Sequence, residues 1–153
     1  MKKLLTPCAL LLGVLLFQAG CANTGRIVVA GLRVEITGLE RSGDGATRVT
    51  WRVVNPNIAP YLLTRVSQKV FLHDTLVGTT LDTEPMAVPA QNHAGRTSKL
   101  VLAGPAAERL LAEAAGQGPV PYRVEAALFI QLYGETIERG DISGAGSVKV
   151  SGK

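Results

Sequence analysis

From Leu32 to Thr37, apolar Leu32, Val34 and Ile36 alternate with Arg33, Glu35 and Thr37, and from Arg48 to Val53 the pattern returns with Val49, Trp51 and Val53 on the apolar side. A period of two predicts strands with one face in a core and the other in water. The cluster Ser42-Gly43-Asp44-Gly45 between them supplies residues that tolerate positive φ, as a turn requires. In a third strand, Leu63, Val66, Val70 and Leu72 share one face if an extra residue is taken up by a β-bulge near Thr64 and Arg65. His73-Asp74 occupies the place of a tight hairpin turn, and Leu76 and Val77 lead into Gly78. Residues 81–94 show no period and are expected to be irregular, while Leu100 and Leu102 fit a strand beginning near Arg96.

One helix is predicted. Gly104 suits its N-cap, Pro105 the first helical position, Ala106 to Ala115 are mostly strong helix formers, and Gly116 fits the position just past the end. Leu110 and Leu111 would hold it to a sheet. Alternation then resumes at length, with Tyr122, Val124, Ala126, Leu128, Ile130 and Leu132 on one side and the opposite set ending at Tyr133. The glycine-rich 140–146 reads as a flexible connection, and Ser147 to Val150 as a closing strand. About seven strands separated by turn signals, with one short helix near 105–115, define a mainly β chain folded as an antiparallel sandwich.

The tryptophan strand stops at Asn55-Pro56-Asn57, with Pro60 and a return to apolar residues just beyond. A short amide can bond backbone groups two residues on, and proline fixes φ while offering no N–H to a neighbouring strand. Together they predict a rigid corner by which the chain leaves one sheet for the other.

The first twenty residues are of a different kind. Lys2 and Lys3 precede a mostly apolar run from Leu4 to Phe17, which ends in Ala19 and Gly20. That is the layout of an export signal, and the run is shorter than the roughly 20 apolar residues a spanning helix needs. Gln18-Ala19-Gly20-Cys21 resembles the lipobox of bacterial lipoproteins, with Gln18 where leucine is usual. The resemblance implies cleavage between Gly20 and Cys21, and attachment to a membrane through several acyl chains at Cys21, enough for stable anchoring. Ala22 stands where a signal for inner-membrane retention would place aspartate, which for a Gram-negative cell implies the periplasmic face of the outer membrane. Residues 1–20 are thus expected to be removed, 21–30 to serve as a lipidated tether, and 31–153 to fold.

Cysteine usage and charge narrow the remaining possibilities. Cys8 lies in the leader, so the mature chain keeps Cys21 alone and has no internal disulfide. Of 16 Lys and Arg, the leader carries Lys2 and Lys3 and no acid, leaving 14 bases against 12 acids. So weak a balance argues against nucleic acid as a partner, which calls for clustered cations. For catalysis or metal binding the material is thin. His73 and His93 stand in expected turns, neither in a metal-binding motif, and Gly140-Asp141-Ile142-Ser143-Gly144 lacks the strand-to-helix elbow of a serine nucleophile. No catalytic residue, metal site or cofactor is expected. Trp51 reads as a core residue with its indole N–H bonded to backbone, and Tyr122 and Tyr133 as sheet residues.

In order along the chain come the strand ending in Asn55, Pro56 and Asn57, then Pro60, an apolar strand, Val77-Gly78, Val88-Pro89-Ala90, the helix, and Val120-Pro121-Tyr122 leading a long strand. This series resembles the water stress and hypersensitive response (WHy) domain of the group 2 late-embryogenesis-abundant (LEA14-like) proteins, of which bacterial lipoprotein members exist. The resemblance covers roughly 31–150, and Gly78 and Gly146 match two of its glycines. His73-Asp74 stands where Asn-Gly is common, and Gln68 where an aromatic or apolar residue is usual. What it implies is a fibronectin type III or immunoglobulin-like sandwich, a link to desiccation and other water stress, and no catalytic site. The expected function is therefore a non-enzymatic, membrane-anchored protector of partly unfolded envelope proteins or of membranes. The alternative is an envelope scaffold lipoprotein that binds one specific protein partner.

Overall fold

Val34, Ile36, Val49, Trp51 and Val53 each expose 4% of their surface or less, so the apolar side of both alternating stretches faces a core. They lie on β1 (Arg33–Arg41) and β2 (Thr47–Asn55), which pair antiparallel. The structure is a computed structural model in which residues 29–152 are described, and the sandwich begins at Gly31. The leader, Gly20 and Cys21 lie outside the described residues.

Further strands are β3 (Tyr61–Leu72), β4 (Thr75–Asp82), β5 (Met86–Val88), β6 (Asn92–Lys99) and β7 (Val101–Leu102). After α1 (Pro105–Ala114) come β8 (Val120–Leu132), β9 (Glu135–Val148) and β10 (Val150–Gly152). Two sheets result. The smaller runs β10-β1-β2-β6, with β10 parallel to β1, and the larger runs β7-β4-β3-β8-β9, with β5 also on β3. The chain passes from the smaller to the larger sheet between β2 and β3, at Asn55 to Pro60. Among the described residues this is a mainly β, antiparallel-rich sandwich with one short helix.

The bulge in β3 falls where the pattern requires it: the register against β8 shifts between Leu63 and Arg65, and Leu63, Val66, Val70 and Leu72 are all buried. His73 and Asp74 have φ of 46° and 59° and form the β3–β4 turn. The helix begins at Pro105 after Gly104, and Gly116 takes φ of 81° beyond its end. It buries Ala107, Leu111 and Ala114, whereas Leu110 is only half-buried.

Several expectations change. The described fold has ten strands rather than about seven, because β5 and the start of β6 form within the stretch that lacked a period, the strand expected from near Arg96 divides at Leu100 into β6 and β7, and the glycine-rich 140–146 is strand. Strands β5 and β6 are stabilised by the partners they pair with, β3 and β2, and not by an alternation of their own. The long eighth strand ends at Leu132, since Tyr133 and Gly134, at φ of 51° and 84°, make a turn, so Tyr133 is not a sheet residue. Most of all, 140–146 is no loop. It lies inside the 14-residue β9, and a Cβ on Gly144 would sit 1.8 Å from the Val34 carbonyl oxygen, so glycine there lets an edge of the larger sheet touch β1 of the smaller.

Tyr122 ties the two sheets along the same side. Its ring lies on β8, and its hydroxyl accepts the Ile36 amide N–H at 3.1 Å. Ile36 borders the β1 bulge, where the register against β2 skips to Gly38. Tyr122→Phe leaves that buried N–H unpaired, and an orphaned buried donor costs roughly 1–3 kcal/mol. The expected result is a lower urea midpoint with unchanged m-value, read from Trp51 emission; an unchanged midpoint would show that this bond between sheets contributes nothing.

Candidate functional site

The corner between the sheets is organised by one amide. Asn55 is fully buried at the end of β2. Its Nδ2 donates to the carbonyls of Ala59 at 2.8 Å and Pro89 at 3.0 Å, while its Oδ1 accepts the Asn57 N–H at 2.9 Å. Pro89 follows β5, which belongs to the larger sheet, so the side chain joins both layers as well as closing its own loop. The Asn57 carbonyl in turn accepts the Gln91 N–H at 2.9 Å, holding the 89–91 turn to the corner. Pro56 is exposed, and Gly31 lies against its ring: a Cβ on Gly31 would come within 3.2 Å of Pro56 Cγ.

Beside this corner lie Tyr61 and the Tyr133-Gly134 turn. Tyr61 is buried, and that burial raises its phenol above the ordinary value of 10.0, with the neighbouring Tyr133 phenol raising it further. Tyr133 itself and Ile58, in the corner loop, are 93% and 87% exposed.

A second polar arrangement clamps the opposite edges of the two sheets. Trp51 Nε1 donates to Ser98 Oγ at 2.9 Å, and Ser98 Oγ donates to Asp82 Oδ2 at 3.1 Å. Arg96 Nη1 donates to Asp82 Oδ1 at 2.9 Å and Glu84 Oε2 at 3.0 Å, and Nη2 reaches the Pro85 carbonyl at 3.1 Å. The indole N–H therefore meets a side-chain hydroxyl, not backbone. Both Asp82 carboxylate oxygens and both terminal nitrogens of Arg96 face partners, the arrangement by which a part-buried ion pair holds elements in register.

Elsewhere in the core, Gln68 and Thr80 are neighbours across β3 and β4, both buried, and Gln68 Nε2, Gln68 Oε1 and Thr80 Oγ1 have no hydrogen-bond partner. Gln68 takes an inward position between Val66 and Val70, where the sequence pattern leads one to expect an apolar side chain. On the outer face of the same sheet, Arg65 and Arg123 stack over Phe129 and Phe71 at 3.5 and 3.9 Å from the ring centroids, so Phe129 is covered by a guanidinium.

The residues weighed for chemistry do not come together. His73 is in the β3–β4 turn, far along β3 from its start, while His93 pairs with Val54 beside the corner, placing the two histidines at opposite ends of the sandwich. Ser143 is an exposed residue of regular strand opposite Glu125. Among the described residues no group of three His, Cys, Asp or Glu side chains is placed to hold a metal ion, and no helix is long and apolar enough to cross a membrane.

No family model matches the sequence, and no curated protein matches it. Solved structures do. The chain is similar to a solution structure assigned to a late embryogenesis abundant (LEA) protein, at TM-score 0.50 and 13% identity, over 95% of this chain and 86% of that one. It is also similar to a protein of Arabidopsis thaliana (TM-score 0.47, 17% identity, 77% of this chain and 78% of that one). A third likeness is to a protein from Archaeoglobus fulgidus (TM-score 0.43, 12% identity, 76% and 91%). At such identities the likeness speaks to fold, and the first of the three carries it: the chain shares a LEA-type β-sandwich.

Two outcomes follow for the corner. Asn55→Ala removes three hydrogen bonds from a buried site and should destabilise the fold by roughly 2–5 kcal/mol in urea denaturation, within the range of a broken buried network. Asn55→Asp should be worse at neutral pH, where a carboxylate faces two carbonyl oxygens, and should recover on acidification as the protonated acid regains a donor; equal stability of the two at pH 7 would deny the amide this role. Tyr61 gives a pH signature of its own. A phenol whose pKa is raised in the folded state stays protonated while the unfolded chain ionises, so its contribution is intact below pH 10 and is lost as pH rises through the folded value. Denaturation midpoints above pH 10 should accordingly fall, and fall less in Tyr61→Phe.

Proposed function

We propose that the protein is a non-enzymatic lipoprotein, anchored at Cys21, whose LEA14-like domain protects envelope proteins or membranes when water activity falls. The observation that carries this reading is the LEA-type sandwich itself: its interior is filled mainly by apolar side chains, and its charged groups are spread over two ends and both outer faces. Such a body acts by contact. Its mechanism is weak, reversible binding to partly unfolded chains or lipid surfaces, with Asn55, Pro56 and Asn57 holding the sandwich closed and no residue performing a reaction. The lipobox resemblance at Gly20-Cys21 supports anchoring on the periplasmic face of the outer membrane.

The scaffold alternative draws less support. Strand β9 ends the larger sheet, and its first half carries Glu135, Glu138, Arg139 and Asp141, charges of the kind that discourage strand addition at an edge.

The test is protection of a drying-sensitive enzyme by the lipidated full-length protein in vesicles. Retained activity after drying should exceed that given by an equal mass of albumin in the same vesicles, and the intact mass should carry an acyl adduct on Cys21. Protection no better than albumin removes the protective role; an unmodified mass removes the anchor.

A further inference from the structure

We infer that the corner end of the sandwich is a lipid-contacting tip, in which Ile58 and Tyr133 enter the interfacial layer of the bilayer. The inference rests on the proposed anchor at Cys21 and adds to it an orientation and two contact residues.

The end in question is set by topology. Strand β2 finishes there at Asn55, β3 starts there at Tyr61, β8 finishes there at Leu132, and Leu62 pairs with Gln131, so the 55–60 corner and the 133–134 turn are side by side. Gly31, the first residue of the sandwich, packs against Pro56 at the same end. Only nine residues, 22–30, separate it from Cys21. At the reach of an extended chain they span at most about 30 Å. An anchor at Cys21 therefore keeps this end, where the tether enters the sandwich, within that reach of the membrane.

The side chains presented here suit that neighbour. Ile58 is 87% exposed and Tyr133 is 93% exposed, with Leu62 partly exposed behind them. Tyrosine is the side chain enriched where an apolar body meets the headgroup layer. Its placement is conspicuous, because the two-residue turn it shares with Gly134 has positive φ at both positions, a conformation in which Asn or Asp is comfortable and a bulky side chain is not. A tyrosine held there against backbone preference points to a use for the ring. Charges at this end are few, with Arg33 and Glu135 opposite in sign. The far end, by contrast, carries Arg41, Asp44, Asp74, Lys99 and Arg123 together with the exposed face of α1. Of the exposed large apolar side chains, Ile58, Leu62 and Tyr133 gather at the tether end, while Leu76, Leu81 and Val101 are spread along β4 and β7.

The test uses full-length protein in vesicles of phosphatidylethanolamine and phosphatidylglycerol, with and without brominated phospholipid as a short-range quencher. Ile58→Trp and Tyr133→Trp place a reporter at the tip, and Glu113→Trp, exposed on α1, places one at the far end. The buried Trp51 is a background common to all and to the parent chain. Loss of emission on bromination for Ile58→Trp and Tyr133→Trp, with none for Glu113→Trp or the parent, supports the inference. Equal loss at Glu113→Trp overturns it, as does no loss at the tip when the intact mass shows an acylated Cys21 and the protein floats with the vesicles. If Cys21 is unmodified, the anchor has failed by itself: loss of emission confined to the tip variants then shows the tip engaging lipid unaided, and its absence removes the inference too.

Discussion

A buried amide that must satisfy both a donor and an acceptor at once governs this fold. Asn55 sits where the chain first changes sheets, at the end of the tryptophan strand, and it meets Ala59, Pro89 and Asn57 with no atom to spare. Two sheets that pack only by apolar contact can slide, since dispersion has no direction. Hydrogen bonds do have direction. The Asn55 bonds fix the corner, the Tyr122–Ile36 bond fixes one side, and the Asp82–Arg96–Ser98–Trp51 clamp fixes the other. Between these three fastenings the core is filled mostly by valines and leucines, with Gln68 and Thr80 as the buried polar pair among them.

Where the sequence spoke clearly, it spoke through local physics. The alternation of β1, β2 and β8, the bulge near Arg65, the His73-Asp74 turn and the helix between Gly104 and Gly116 all follow from side-chain period or from φ preferences within a few residues. What stayed hidden depends on distant partners. Strand β5 exists because β3 offers it a ladder, and the glycine-rich half of β9 is a strand because its small residues allow β1 to approach, a reason found more than a hundred residues away. Glycine in a sequence signals freedom; here Gly144 signals proximity.

The candidate site was legible to the same degree. Asn55, Pro56 and Asn57 stand out in the sequence as a strand break, but the second layer they reach, through Pro89, cannot be read from spacing. Tyr133 was hidden by a regular alternation that runs straight through the strand end, and only the positive φ at Tyr133 and Gly134 shows where the strand stops. Gln68 is the reverse case. Its polarity was plain in the sequence and its inward position followed from the alternation, yet the lack of any partner for its amide is visible only with β4 and β8 in place.

The parallel pairing of β10 with β1 has a mechanical consequence. Leu39, Glu40 and Arg41 lie opposite Val150, Ser151 and Gly152, so the last strand leaves the sandwich at the end remote from Gly31. A pull on the two termini therefore loads that ladder in shear, with its bonds strained together, instead of unzipping it one bond after another. A body fastened by its beginning and tugged by its end would resist extension in that geometry, much as a lap joint outlasts a peeled seam.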